Sequence, residues 1–217
     1  MRSKLTKEQK KELYTQMQDF RHACKLFDSK KKIPQEDIEF ILESARKSPS
    51  SFGMEGWKFL VIQNQELKEK LKPLCWNQPQ ITTASHVVVI LSAIENLKVE
   101  SGVVKERFLR RNLTTEQTDL YVEKYASHLH KQLSNDEKLY EWSARQSYIA
   151  LCNILNSASC IEIDSCPIEG FEKENIEKLL NIDTTQFQLS VIVTLGYRVN
   201  PQSTQLRLDF KDVVEFL

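Results

Sequence analysis

The sequence predicts an α+β fold in which helices flank a central mixed or antiparallel sheet. Three observations support this class: several segments have apolar residues at helical spacing, others are compact apolar runs typical of strands, and the two kinds do not strictly alternate. The 217-residue chain is long enough for one domain with a sizeable core, and no repeat or linker divides it. We therefore predict a single domain over residues 1–217.

The first two predicted helices lie near the N-terminus. Thr6 followed by Gln9 matches a capping box, and the apolar residues that follow at helical spacing predict a helix over residues 7–19. Pro34 suits the first turn of a second helix. This helix should end before Pro49, because the residue preceding a proline avoids helical angles.

Three apolar runs predict the strands of the sheet. Trp57–Ile62 is predicted to be a buried strand, and the valine-rich run His86–Ile94 is the second. Phe187–Tyr197 is predicted to be the last strand of the chain. Between the first two, leucines at helical spacing predict a short helix over residues 67–74.

The second half of the chain is predicted to be mainly helical. Residues 97–133 are charged and have a helical pattern without a strand signal, whereas residues 140–158 carry apolar side chains around most of the helix surface. A helix of the second kind is buried in a large core or at a subunit interface. The tail over residues 200–217 has no clear period but many apolar residues, so we expect it to pack on another chain.

Composition and charge exclude several classes of protein. The five glycines allow neither the Rossmann motif nor the P-loop motif. The formal net charge is +0, so the chain has no excess of positive charge to bind a nucleic-acid backbone. Its longest aliphatic stretch is far shorter than the roughly 20 residues that a membrane span needs. We therefore predict neither a nucleic-acid partner nor a membrane partner.

The cysteines and histidines indicate the compartment and argue against a metal site. An odd number of cysteines without a C-x-x-C pair, behind an N-terminus that lacks an apolar signal region, predicts reduced thiols in a cytoplasmic protein. His128 and His130 are two residues apart and would point to different faces of a helix. We therefore predict no metal.

Residues 21–28 form the first segment that contains candidate ligand-binding residues. They break the helical pattern and are predicted to be extended or irregular, with Arg21 and Lys25 placed to hold a phosphate or an anionic ring. The alternative is a pair of ordinary surface cations. Cys24 beside these cations has either a lowered pKa or the buried, unreactive state that is more usual for cysteine.

Three further segments are candidates for ligand binding. Hydroxyls and backbone N–H groups in residues 48–57 form a possible anion-binding turn, although Gly53 to Gly56 also matches the G-x-x-G of an RNA-binding loop. Residues 164–171 are interpreted as a turn between helices in which Gly170 permits close backbone approach. Arg198 and Arg207 are possible phosphate-binding cations.

Together and in this order, these segments resemble the nitroreductase family of FMN-dependent NAD(P)H oxidoreductases, over about residues 20–207. The first motif, with its cysteine, is most similar to that of the oxygen-insensitive NAD(P)H nitroreductases. The matching motifs are Arg-His-x-Cys-Lys-x-Phe-Asp at 21–28, Ser-Pro-Ser-Ser at 48–51, Ala-Ser-His-Val-Val-Val at 84–89 and Pro-Ile-Glu-Gly-Phe at 167–171.

The resemblance implies an intertwined homodimer with two FMN sites at the interface, and a C-terminal extension over about residues 200–217 that adds to the partner's sheet. It assigns Arg21 and Arg207 to the FMN phosphate, Lys25 to the flavin N1/O2 edge and Asn77 to the pyrimidine edge. The implied contacts from one subunit are Arg21, His22, Ala23, Lys25, Asn77, Gln80, Pro167, Ile168, Glu169, Gly170, Gln205 and Arg207. Those from the other subunit are Pro49, Ser50, Ser51 and Gly53, and Gln146 stands where the family often has a glutamine near the flavin.

The implied activity is a ping-pong reaction. NADPH or NADH passes a hydride to flavin N5, and a small-molecule acceptor (a nitroaromatic, a quinone or free flavin) then takes the electrons. No side chain acts as acid or base, and Lys25 tunes the flavin electrostatically.

Four positions depart from the family pattern. Ala23 replaces a hydroxyl residue, Gly53 replaces an asparagine, and Gln80 and Gln205 each replace a lysine. Because a hydrogen bond to a charged group contributes about 1.5–3 kcal/mol, the departures predict weaker FMN binding than is typical. They also motivate an alternative function, a flavin-binding protein with little turnover and a non-catalytic or regulatory role.

Overall fold

The computed structural model describes residues 5–133 and 135–217 and confirms the predicted α+β class. Its four antiparallel strands form one sheet in the order β1-β2-β4-β3. The strands are β1 (Trp57–Ile62), β2 (His86–Ala93), β3 (Asp164–Ile168) and β4 (Phe187–Gly196). The helices are α1 (Lys7–Phe20), α2 (Gln35–Arg46), α3 (Gln65–Leu74), α4 (Gln80–Thr83), α5 (Val103–Leu109), α6 (Thr115–Gln132), α7 (Asp136–Cys160), α8 (Lys173–Leu179) and α9 (Phe210–Val213).

Strand β2 is buried on both faces, and its side chains alternate between two cores. Val87 and Val89 lie in the core beneath α3, α4 and α8, whereas Val88 and Ile90 lie in the core shared with α2 and α7. The alternation follows from the pleat, which points successive side chains to opposite faces. A continuous valine-rich run therefore forms the centre of a sheet that helices cover on both faces.

The predicted burial of β1 is wrong in part. This strand pairs with β2, and no second strand among the described residues pairs with its other edge. Val61 consequently keeps 38% of its surface exposed, while Ile62 is buried. An apolar run therefore predicted the strand correctly but not its position at the edge of the sheet.

Strand β3 was not predicted, because residues 164–171 were interpreted as a turn. It pairs with β4, and Pro167 lies within it. Proline is tolerated in an edge strand because the position needs no ladder donor on its outer side. Because this segment contains polar residues and a proline, its sequence does not predict a strand. The strand depends on pairing with β4, which is distant in the chain.

The predicted N-terminal elements are confirmed. Thr6 and Gln9 form both bonds of the capping box at the start of α1. Helix α2 begins directly after Pro34 and ends at Arg46, before the proline at position 49. Residues 21–28 are irregular as predicted and touch the sheet through two isolated bridges.

Helix α7 and the C-terminal tail leave apolar surface exposed. The inner face of α7 packs on the sheet, but Tyr148 and Ile149 on its outer face are more than one third exposed. In the tail, the exposed apolar side chains are Leu206, Leu208, Phe210, Val213, Phe216 and Leu217. None of the helices in residues 5–133 and 135–217 is both long enough and apolar enough to cross a bilayer.

Candidate active site

The irregular segment after α1 is fastened to the end of the sheet. Ala23 forms a parallel bridge with Ser165 of β3, and Cys24 N donates to Ser165 O at 3.1 Å. Four residues later, Phe27 bridges Arg198 just beyond β4. These contacts bring the cations of the first sequence motif beside the strand that leads into the motif at 167–171.

Arg198 is not a free phosphate-binding cation, which corrects the sequence interpretation. Its Nε donates to the Asp164 carboxylate at 2.6 Å, and its backbone N–H donates to the second carboxylate oxygen at 2.8 Å. The guanidinium also donates to the carbonyl of Phe20 at 3.2 Å. Asp164 is buried, so the pair is a buried, hydrogen-bonded ion pair that ties the end of α1 to β3.

His22, Cys24 and Asp164 bring possible metal-ligand atoms within 4.8 Å of one another. Burial, with the nearby Arg198 as a second cause, lowers the pKa of His22, and burial raises the pKa of the Cys24 thiol to about 11. Cys24 is therefore buried, as the second interpretation of this residue expects. Because Arg198 already engages the Asp164 carboxylate, we interpret the cluster as part of the anchor of this segment.

A polar chain links Lys25 to the loop that follows β3. Lys25 Nζ donates to Cys166 Sγ at 3.4 Å, and Gln80 Nε2 lies 3.8 Å from the same sulfur. Gln80 donates to Gln78 at 2.7 Å, and Gln78 donates to the carbonyl of Gly170 at 2.9 Å. The predicted segments at 21–28 and 164–171 thus share one polar chain, which also includes the predicted site residue Gln80.

Buried polar atoms without a partner mark the same region. In the described residues there are four such side-chain atoms, and three belong to predicted site residues: Arg21 Nε, His22 Nδ1 and Gln80 Oε1. An unsatisfied buried donor or acceptor costs about 1–3 kcal/mol. Arg21 Nε is a donor, His22 Nδ1 is a donor or an acceptor according to its tautomer, and Gln80 Oε1 is an acceptor. Together with the Lys25 ammonium, these atoms fit a polar, anionic ligand such as FMN.

The turn after α3 has a strained backbone that faces this region. Trp76 and Asn77 have φ values of 53° and 56°, in the left-handed region that non-glycine residues rarely adopt. The indole of Trp76 lies against Gly170, and the residue is 68% exposed. Such strain persists where surrounding contacts hold it, often beside a ligand site. Asn77 is among the residues predicted from the family resemblance, whereas Trp76 and Gln78 are not.

Gln205 and Arg207 approach the site from the tail. Gln205 Nε2 donates to the carbonyls of Gln18, Asp19 and Arg21, so it satisfies the exposed carbonyls at the end of α1. Arg207 is exposed, and its guanidinium donates to the neighbouring Leu206 carbonyl at 2.7 Å. The structure thus brings Gln205 to Arg21, while the phosphate role of Arg207 stays a prediction.

The predicted site residues of the loop after α2, together with Gln146 of α7, form a second, separate group. Ser51 N donates to Gln146 Oε1 on α7 at 2.9 Å, and the Ser50 hydroxyl accepts from Glu55 N at 2.8 Å. Pro49 and Gly53 lie in the same loop. Within residues 5–133 and 135–217, no hydrogen bond or ion pair joins this loop group to the group around Arg21. That the loop serves a site on another subunit stays a prediction.

The fold and the site residues around Arg21, Lys25 and Gln80 define a family. Residues 19–197 match the model of the Nitroreductase family, and the chain belongs to this family.

Named relatives agree with this assignment. A Haemophilus influenzae protein named "Putative NAD(P)H nitroreductase" is 40% identical, with 99% of each chain aligned. The structure of a putative NAD(P)H:FMN oxidoreductase from Staphylococcus epidermidis has a TM-score of 0.82 at 25% identity and covers 94% of this chain and 95% of its own. A putative nitroreductase from Exiguobacterium sibiricum, solved in complex with FMN, has a TM-score of 0.80 at 23% identity and covers 94% and 97%.

Proposed function

We propose that the protein is an FMN-dependent NAD(P)H oxidoreductase that works by a ping-pong cycle and reduces nitroaromatic, quinone or flavin acceptors. The observation that carries the proposal is the group of buried, unpartnered atoms on Arg21, His22 and Gln80 beside Lys25, in a chain of the Nitroreductase family. The names of the relatives, which include NAD(P)H nitroreductases and an NAD(P)H:FMN oxidoreductase, support it.

The first site group would hold FMN by charge and by hydrogen bonds. Arg21 has a free buried Nε for a phosphate oxygen, and Arg207 would add a second cation. Gln80 Oε1 is a free acceptor for a ring N–H, and Asn77 would serve the same edge. When bound, FMN supplies the hydride chemistry at its N5 atom.

Lys25 is the residue proposed to tune the reaction. Its ammonium is fixed by the Cys166 sulfur at 3.4 Å, and burial raises the pKa of that thiol. The thiol therefore stays neutral at physiological pH and leaves the positive charge of Lys25 uncompensated. A fixed positive charge stabilises the negative charge that reduction adds to the flavin ring.

We also propose that the protein is a homodimer in which the loop over residues 49–53 and Gln146 complete the partner's site. Three features support this arrangement: the apolar tail is exposed, the outer face of α7 is exposed, and one edge of β1 is without a strand among the described residues. Sedimentation equilibrium should give twice the chain mass. A chain shortened after Arg207 should dissociate at higher concentration than the full chain, because it lacks most of the exposed apolar tail.

The test of the proposed function is purification with added FMN, followed by turnover. Bound FMN should give flavin absorbance, and NADPH or NADH should be oxidised in the presence of a nitro acceptor. A protein that stays colourless at saturating FMN would contradict the proposal. Flavin absorbance without turnover would favour the alternative of a non-catalytic flavin-binding protein, which the departures at Ala23, Gly53, Gln80 and Gln205 motivate.

A further inference from the structure

Three arginines at the end of α5 bind consecutive carbonyl groups of the loop over residues 50–55. They come from the charged helical region to which the sequence analysis assigned no individual role. The pairs are Arg111 with Phe52 O, Arg110 with Gly53 O, and Arg107 with Met54 O. We call Arg107, Arg110 and Arg111 the arginine clamp. Arg110 also binds the Glu55 carboxylate at 3.1 Å.

The loop held by the arginine clamp has an unusual backbone. Phe52 and Glu55 have φ values of 55° and 46°, and Gly53 between them has a φ of 68°. Left-handed backbone angles are sterically unfavourable for non-glycine residues, so this conformation persists only when surrounding contacts fix it. The arginine clamp supplies such contacts to three successive peptide units.

Gly53 and Arg111 depend on each other. A Cβ built on Gly53 would come within 3.1 Å of Arg111 Nη2, and the positive φ independently favours glycine. The Arg111 guanidinium is itself positioned over the rings of Phe108 and Tyr121, at 4.9 Å and 5.3 Å from their centroids. An asparagine at position 53 would therefore require the Arg111 guanidinium, which stacks on these two rings, to shift by a few tenths of an ångström.

We propose that the arginine clamp is a set of positioning residues that hold the loop over residues 50–55 in the conformation that contacts FMN, and that Gly53 leaves room for Arg111 to bind the loop. The inference rests on the proposed function, since it assumes that this loop lies against the cofactor. In this arrangement the carbonyls of the loop are ordered by arginines from α5 and from the residues that follow it, and a side chain at position 53 would press on one of these arginines.

The test compares Arg107→Ala and Arg111→Ala with Lys105→Ala. Lys105 is on the same helix but pairs with Asp119 of α6 at 2.7 Å, so its removal deletes a cation without touching the loop. Hydrogen exchange in FMN-free protein reports directly on the loop, because the amides of Ser51, Gly53, Met54 and Glu55 all donate hydrogen bonds there. A fluorescence titration then gives the dissociation constant for FMN.

Both clamp variants should speed exchange at these four amides and raise the FMN dissociation constant by roughly tenfold, which corresponds to the loss of one charge-assisted hydrogen bond. Lys105→Ala should do neither. Arg111→Lys, which keeps one donor, should restore part of the affinity. Unchanged exchange at the four amides would overturn the clamp.

The coupling between Gly53 and Arg111 has its own readout. Gly53→Asn should weaken FMN binding in the native background and weaken it less in the Arg111→Ala background, because the clash is then gone. Additive effects would overturn the coupling. Clamp variants with a loosened loop but native FMN affinity would overturn the positioning role alone, whereas failure of the unaltered protein to bind FMN would overturn the proposed function.

Discussion

The indole of Trp76 packs on Gly170 so closely that a Cβ added to the glycine would come within 2.6 Å of the ring. The two residues are 94 positions apart and belong to two loops of the candidate FMN site. Gly170 also accepts a hydrogen bond from Gln78, two residues after Trp76. The turn after α3 and the loop after β3 are therefore one packed unit.

Gly170→Ala should separate the two loops. Overpacking of this size costs typically 1–3 kcal/mol, so we expect the free energy of unfolding to fall by about that amount and FMN affinity to fall with it. Urea denaturation and an FMN titration measure the two effects. Trp76→Ala in the Gly170→Ala background should recover most of the stability, since it removes the atoms that clash. If the double variant is as unstable as the sum of the single ones, the contact is not the cause.

Lys25→Ala should slow reduction of bound flavin by NAD(P)H by about tenfold, a loss of about 1.4 kcal/mol of electrostatic stabilisation. Thermal stability should change little, because the Lys25 side chain is exposed and its bond to the Cys166 sulfur is long, at 3.4 Å. Stopped-flow absorbance measures the rate. Lys70→Ala is the matched control, because Lys70 is an exposed lysine that pairs with Glu66 on the surface of α3. Equal reduction rates in the two variants would contradict the proposed role of Lys25.

Gln80→Lys should tighten FMN binding and destabilise the FMN-free protein. Gln80 is buried, and its Oε1 has no partner, so a lysine here would place a charge against the ligand at the position where the family has one. A charge-assisted bond is worth about 1.5–3 kcal/mol, or roughly ten- to hundredfold in affinity. Without FMN, the buried ammonium near Lys25 lacks a counter-charge. Titration and thermal melting with and without FMN test both directions, and unchanged affinity would show that position 80 is not at the cofactor.

His86 should make the protein less stable in acid. Burial, reinforced by nearby Lys68 and Lys32, lowers the pKa of His86 from 6.5 to about 4. The unfolded chain therefore binds a proton below pH 6.5 that the folded chain does not, and the free energy of unfolding falls as pH drops from 6.5 toward 4. The loss attributable to His86 amounts to at most about 3 kcal/mol.

Urea denaturation across this pH range, compared with His86→Gln, measures the effect. The variant keeps a polar side chain that can bond Gln63 and Ser85, the two partners of the imidazole. Its stability should depend less steeply on pH. Identical slopes in the two proteins would show that His86 does not carry the proton linkage.

Local sequence signals predicted the parts of the fold that depend on local physics. The Thr6 capping box, the valine-rich strand β2 and the long helix α7 were all found, because caps and hydrophobic periodicity act within a few residues. The ordered motifs also located the segments of the candidate site. Strand β3 was not predicted from the sequence, because Asp164 and Pro167 are not typical strand residues. The strand forms through its pairing with β4.

The roles of the charged residues were decided only by tertiary structure. Sequence placed Arg198 among the candidate phosphate ligands, but folding brings it to buried Asp164, 34 positions away, which uses its donors. Arg111 likewise reaches a carbonyl 59 positions away. An arginine in a sequence is only a charge with five donors, and what it binds depends on which acceptor the folded backbone places within about 3 Å. The sequence therefore determined the family, most of the elements and the candidate segments, whereas the fold decided the position of β3 and which cations bind other parts of the protein.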